Sequence, residues 1–197
     1  MTAHAQAAHS DAPMTTGISN AKLAVWLFLA SEVMLFSTLF TTYLVLRMAA
    51  PSWPRGWDAL NVPLAMTNTF VLITSSVTIV LAYAKAAAKD RAGFRLYMIL
   101  TILLSFVFLG IKGVEYAKHF AAHEYPSTSI FNAVYFTMTG LHGLHVVGGI
   151  ALNAALLYLS KEQFEHPLFV GRVEGAGLYW HFVDIIWIFL FPALYLL

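Results

Sequence analysis

Residues 23–46 read LAVWLFLASEVMLFSTLFTTYLVL, a run of 24 residues with a single charge, Glu32. As an α-helix rising about 1.5 Å per residue, the run is about 36 Å long, enough to cross a hydrocarbon core of roughly 30 Å with some tilt. Glu32 lies about 14 Å along it, close to the midplane. An ionised side chain at that depth costs on the order of a few kcal/mol or more, so such a group is kept neutral, paired, or turned toward a functional path. With no fixed cation expected beside it, Glu32 is expected to be protonated.

The remainder of the chain has the same character. Hydrophobic residues make up 59% and charged residues 11%, with a mean hydropathy of +0.72. Soluble domains carry about 25% charged residues, so this is an integral membrane protein. A net charge of +1 and the lack of a basic run point away from nucleic acid. Cysteine is absent, which excludes disulfides, thiolate metal sites and cysteine nucleophiles.

Hydropathy marks five spans at about 21–47, 61–84, 94–117, 130–159 and 173–196. The fold expected is an all-α, polytopic bundle of five transmembrane helices, forming one unit over 21–197 behind a flexible tail at 1–20 that holds His4 and His9. The tail lacks the charged and apolar regions of a signal peptide. Pro51, Pro54 and Gly56 break the chain after the first span. A charged turn over 85–95 contains Gly93, Pro126 precedes the fourth span, and Pro167 with Gly171 precedes the fifth. No loop is long enough for a soluble domain, and no internal repeat is visible. Lys22, Lys85, Lys89, Arg91, Arg95, Lys161 and Arg172 fall on one side, against Arg47, Arg55 and Lys118 on the other. This asymmetry places the N-terminus in the cytoplasm and the C-terminus outside.

Polar residues within the spans carry the functional information. In the fourth span His142, His145, Gly149 and Asn153 are spaced by three and four, so they share a face. Glu174, Gly177, His181 and Asp184 do the same in the fifth. Glu32, His142, His145 and Asp184 are therefore expected at similar depth on three helices. Asn68 and Ser75 share a face of the second span, with Thr74, Ser76 and Thr78 nearby. Lys112 and Glu115, three apart in the third, can form a local ion pair. Gly140, Gly143, Gly148 and Gly149 are expected to admit close helix approach. Trp53, Trp57, Tyr125, Tyr179 and Trp180 lie near span ends, as in an interfacial aromatic belt.

These residues leave three readings open. His142-x-x-His145 could bind a metal or haem, although it lacks the glutamate of a His-Glu-x-x-His zinc site, and two histidines one turn apart cannot ligate opposite faces of one haem. Intramembrane Glu, Asp and His are also the residues of proton relays. Alternatively, the polar groups hydrogen-bond across helices, at about 0.6–2 kcal/mol each.

The strings WLFLASEVMLF, TNTFVLITSS, FLGIKGVEY, TGLHGLHVVGG and YWHFVDIIWIFLF, one per span, resemble the signature segments of haem–copper oxidase subunit III in the family's order. The resemblance spans about 26–191 and fits the five-helix form. It implies an accessory subunit with no catalytic residue, metal or other cofactor of its own, belonging to a proton-pumping terminal oxidase that reduces oxygen to water. The implied partners are the catalytic subunit I, which holds haem and copper, subunit II, and further small subunits, in the bacterial cytoplasmic (inner) membrane. Glu32, Asn68, Glu115, His142, His145, His181 and Asp184 match family motif positions. The family's phospholipid cleft, also proposed as an oxygen route, would involve Glu32, Trp26 and His181. Support of proton uptake and of durability during turnover is implied as well. Two alternatives remain: a subunit III-like accessory protein of a nitric oxide reductase, and a small proton-coupled transporter, against which the lack of repeats argues.

Overall fold

The computed structural model describes residues 20–197. The expected tail lies outside the described residues, except for Asn20, which opens the first helix. The elements are α1 (Asn20–Ala49), α2 (Gly56–Ala59), α3 (Val62–Ala87), α4 (Arg91–Ala121), α5 (Ile130–Leu159) and α6 (Phe169–Phe191), closed by a π-helical turn (Pro192–Leu196). Among the described residues, five helices are long and apolar enough to cross a membrane, and there is no strand. In hydrocarbon only a helix or a closed barrel can satisfy the backbone, and five helices do so here.

Local chemistry sets the ends. The expected charged turn at 85–95 shrinks to three residues. Lys85 belongs to α3, and Arg91, Gly93 and Arg95 belong to α4. The cause is Asp90, whose side chain caps α4 by accepting from the Gly93 amide at 2.9 Å and also pairs with Lys85 at 3.0 Å. The Gly93 amide, and then the Lys85 ammonium, hold the Asp90 carboxyl below its ordinary range. Asn61 and Ser129 cap α3 and α5 in the same manner. The last helix begins four residues, about one turn, earlier than expected, which moves Trp180 inward. It is fully buried, and its indole donates to Ser75 Oγ at 3.0 Å, so it is not a belt residue. Tyr179 is also turned inward, donating to the His145 carbonyl at 2.9 Å.

Helices α3, α4, α5 and α6 form the core, with α3 packed mainly along α4 and α6. Gly149 sits against the Trp180 ring, where a β-carbon would collide, and Gly148 lies near the Tyr179 hydroxyl. Gly143 has open space around it. Close approach is thus confined to one end of the glycine-rich stretch. Hydroxyls knit the core, with Thr78 bonded to Thr101 at 2.8 Å and the Trp187 indole donating to Thr69 at 2.9 Å.

Helix α1 is attached differently. Leu29, Phe36 and Tyr43 are its buried residues, and Val25, Glu32, Leu39 and Leu46 are half-buried beside them. These seven alternate spacings of four and three, the a/d seam of a heptad helix contact. Beyond the seam α1 faces outward. At its far end the Tyr43 hydroxyl donates to the Ala193 carbonyl and Arg47 donates to Tyr43 and to the Leu197 carbonyl, tying α1 to the π-helical turn. The unexpected α2 packs on that same turn through Gly56, where a side chain would strike the backbone of Leu194 and Tyr195.

Candidate functional site

The polar residues expected to gather at mid-depth divide into separate groups. Glu32 occupies a d position of the α1 seam, and its Oε2 lies 2.8 Å from His145 Nε2 on α5. His145 is one of the neighbours expected at this depth, and its imidazole is the partner of the Glu32 carboxyl. The other nitrogen of His145, Nδ1, is 2.8 Å from the Leu141 carbonyl. A carbonyl can only accept, so Nδ1 carries a hydrogen. The contact to Glu32 needs one further hydrogen, which either atom can hold. In both arrangements the pair carries one shared proton and no net charge, which suits its depth.

His142 does not join this pair. Helical geometry turns it about 60° from His145, into the core between the Phe108 ring at 5.6 Å and the Trp187 ring at 5.2 Å. Neither ring nitrogen has a hydrogen-bond partner among the described residues. Asn68, fully buried nearby, donates to the Phe108 carbonyl at 3.4 Å. Spacing of three and four is thus compatible with two destinations, and only the packing of α1 and α4 on either side of α5 separates them.

Asp184 also stands apart from Glu32. It lies between α6 and α3 beside Ser76, with both carboxylate oxygens enclosed and without a hydrogen bond among the described residues. Ser76 Oγ instead bonds His181 Nδ1 at 2.6 Å.

A fourth group lies toward the C-terminal end. Lys112 Nζ donates to Glu115 Oε2 at 2.7 Å and to the Tyr195 hydroxyl at 2.6 Å, and Tyr195 in turn donates to Glu115 Oε1 at 2.8 Å. Lys112 also lies 5.0 Å from the Trp187 ring centre, and Tyr135 closes the group from α5. The i,i+3 pair was visible in the sequence. Its partners were not, since Tyr195 is 80 residues from Glu115 and nothing in local spacing links them.

A groove of about 690 Å³ runs between α1, α5 and α6 at the basic end of the bundle. Val25, Phe28, Gly148, Leu152 and Tyr179 line its apolar part. Lys22, bonded to Glu174 at 2.7 Å, and Arg172, bonded to Gln163 at 2.8 Å, line its charged part. The three residues assigned to a cleft do not share it. Trp26 is exposed on α1, Glu32 is held in the seam, and His181 lies on the α3 side. Among the described residues, no three His, Asp or Glu side chains are grouped to hold a metal ion.

Comparison with known proteins agrees over nearly the whole chain. The profile of the family described as "Cytochrome c oxidase subunit III" matches residues 2–197. The quinol oxidase subunit 3 of Bacillus subtilis is 33% identical over 197 residues, covering 98% of this chain and 97% of that one. The cytochrome c oxidase subunit 3 of Alkalihalophilus pseudofirmus is 33% identical over 179 residues, covering 90% and 87%. That of Allomyces macrogynus is 39% identical over 183 residues, covering 88% of this chain but 65% of its own length.

Proposed function

The chain belongs to the cytochrome c oxidase subunit III family, and from that premise we propose that it is the accessory, non-redox subunit III of a proton-pumping respiratory oxidase. It packs against the haem- and copper-bearing subunit I in the bacterial cytoplasmic membrane and supports the stability, proton uptake and oxygen access of that subunit. The carrying observation is how its two most ligand-like side chains are used. His145 spends both ring nitrogens on Leu141 and Glu32, and His142 is enclosed by aromatic rings. Neither presents a nitrogen to a haem, which fits a subunit whose complex keeps its redox centres elsewhere.

The basic end faces the cytoplasm in this reading, as the charge asymmetry favours. The groove between α1, α5 and α6 holds a phospholipid, its acyl chains against Phe28 and Leu152 and its headgroup near Lys22 and Arg172. Relatives named for quinol and for cytochrome c match at the same 33% identity, so the shared features are those common to both donor classes.

The test is to purify the complex through a tag on this chain from its native membrane. Co-purification of a subunit carrying haem and copper, with oxygen consumption, is the expected result. A partner with non-haem iron that turns over nitric oxide would refute it. Transport by this chain alone in liposomes would refute it too.

A further inference from the structure

The two half-buried histidines near the middle of the spans differ in what they leave over. His145 uses both ring nitrogens inside the chain, on Leu141 and Glu32. His181 uses one, Nδ1, on Ser76. Its Nε2 has no hydrogen-bond partner among the described residues, although the ring is only half-buried. Behind it, both oxygens of Asp184 are enclosed and unpartnered.

The surroundings explain why this matters. His181 lies near the middle of the span Phe169–Leu196, roughly 20 Å from either end at 1.5 Å per residue. Headgroups and bulk water are out of reach. Ile185 and Ile188 continue its face along α6, at 50% and 48% exposure, and Ile73 and Val80 flank Ser76 on α3, at 44% and 47%. The imidazole edge therefore opens onto an apolar, membrane-facing surface. Acyl chains cannot hydrogen-bond, and an unpaired polar nitrogen in hydrocarbon is unfavourable. The missing partner must come from protein at the same depth. Glu32 makes no such demand, because its partner is already in place.

We propose that the α3/α6 face centred on Ser76 and His181 is where a transmembrane helix of the partner subunit packs, bringing a hydrogen-bonding side chain (a hydroxyl, an amide or an imidazole) to His181 Nε2. This inference rests on the reading of the chain as one subunit of an oxidase complex. It adds which face docks and the chemistry that meets it. Ile73, Val80, Ile185 and Ile188 supply the apolar contact around that single polar bond.

The test uses the complete complex in its native membrane. A photoreactive benzoylphenylalanine is placed singly at Val80, Ile185, Met34 on the outward face of α1, or Leu103 on α4. Irradiation at Val80 and Ile185 is expected to cross-link a second polytopic subunit at yields at least tenfold above those at Met34 and Leu103. His181→Leu is expected to lower the amount of that subunit recovered with the chain several-fold, and His181→Gln to restore part of it. Cross-links to the partner from Met34 or Leu103 alone would overturn this inference while leaving the oxidase reading intact. Cross-links at Ile185 to a second copy of the chain, or to lipid only, would overturn it as well. A chain that co-purifies with no other subunit would remove the oxidase reading itself.

Discussion

Helix α1 and the four-helix core are both apolar, yet they are held by different means. In α1, 11% of the apolar span is buried, against 39% in the last span. The core is closed on several sides by aromatic rings, by the hydroxyl bond between α3 and α4, by the indole bond from α6 to α3, and by the contact of Gly149 with Trp180. Helix α1 rests on one heptad seam, with a single polar pair at its middle, the exposed Lys22–Glu174 bond near its start, and the ties of Tyr43 and Arg47 to the Ala193 and Leu197 carbonyls at its end. Lipid is as apolar as leucine, so burying leucine against leucine gives little drive in a membrane, and packing detail and polar bonds decide association. The core has many of these and α1 has few. The Glu32–His145 pair is therefore best understood as fixing the register and rotation of α1 on the bundle, the use best attested for a lone polar residue in a helix seam.

The core should show the largest effects of substitution. Lys112→Met leaves Glu115 buried beside Tyr195 without its cation. Stripping one partner from a buried ion pair costs about 3–5 kcal/mol, so a large fall in the thermal midpoint of the detergent-solubilised complex is expected. Lys112→Met combined with Glu115→Leu should recover much of the loss, and a double variant no better than the single would contradict the pairing. Next in size is Gly149→Leu, which drives a side chain into the Trp180 ring. Overpacking of this kind costs about 1–3 kcal/mol, whereas Gly143→Ala, with open space around it, should leave the midpoint unchanged.

The seam should respond more weakly and more locally. His145→Leu removes the hydrogen-bond partner that Glu32 has among the described residues, at about 0.6–2 kcal/mol, and should loosen α1 while sparing the core. A single cysteine at Leu39, in a chain that otherwise has none, would report this as faster thiol labelling. Glu32→Gln preserves a hydrogen bond to His145 and should label no faster than the parent. Equal labelling of all three would show that the pair does not hold α1.

The smallest effect belongs to Asp90. Its carboxyl is held below the ordinary range in the folded chain by the Gly93 amide and Lys85. A depressed folded value means that this contribution is present above the unfolded carboxylate range and is lost as pH falls through the lower folded one. Asp90→Ala should thus lower the midpoint slightly at neutral pH, and the difference should vanish in strong acid.

Much of this arrangement was legible in the sequence. Spans are set by long apolar runs, a local signal, and five were expected and five found. Their ends were read short where charged residues continue a helix beyond the apolar run, as Lys85 and Arg91 do on either side of Asp90. Helical spacing located the polar residues but not their partners. His142 and His145 lie within one turn of each other, and the direction each takes depends on where α1 and α4 pack against α5. The tyrosine contacts of Lys112 and the bond from Ser76 to His181 join segments far apart in the chain, so only the folded bundle exposes them. The family resemblance pointed to motif positions without showing which of them meet.

The proposed role of this chain is to support the redox chemistry of an oxidase without carrying it. The most direct measurement is to purify the complex, strip this subunit from it with detergent, and record the haem spectrum and the time course of oxygen consumption. An unchanged haem spectrum is expected, with an initially active remainder that loses activity sooner during turnover. Loss of haem together with the subunit would contradict it.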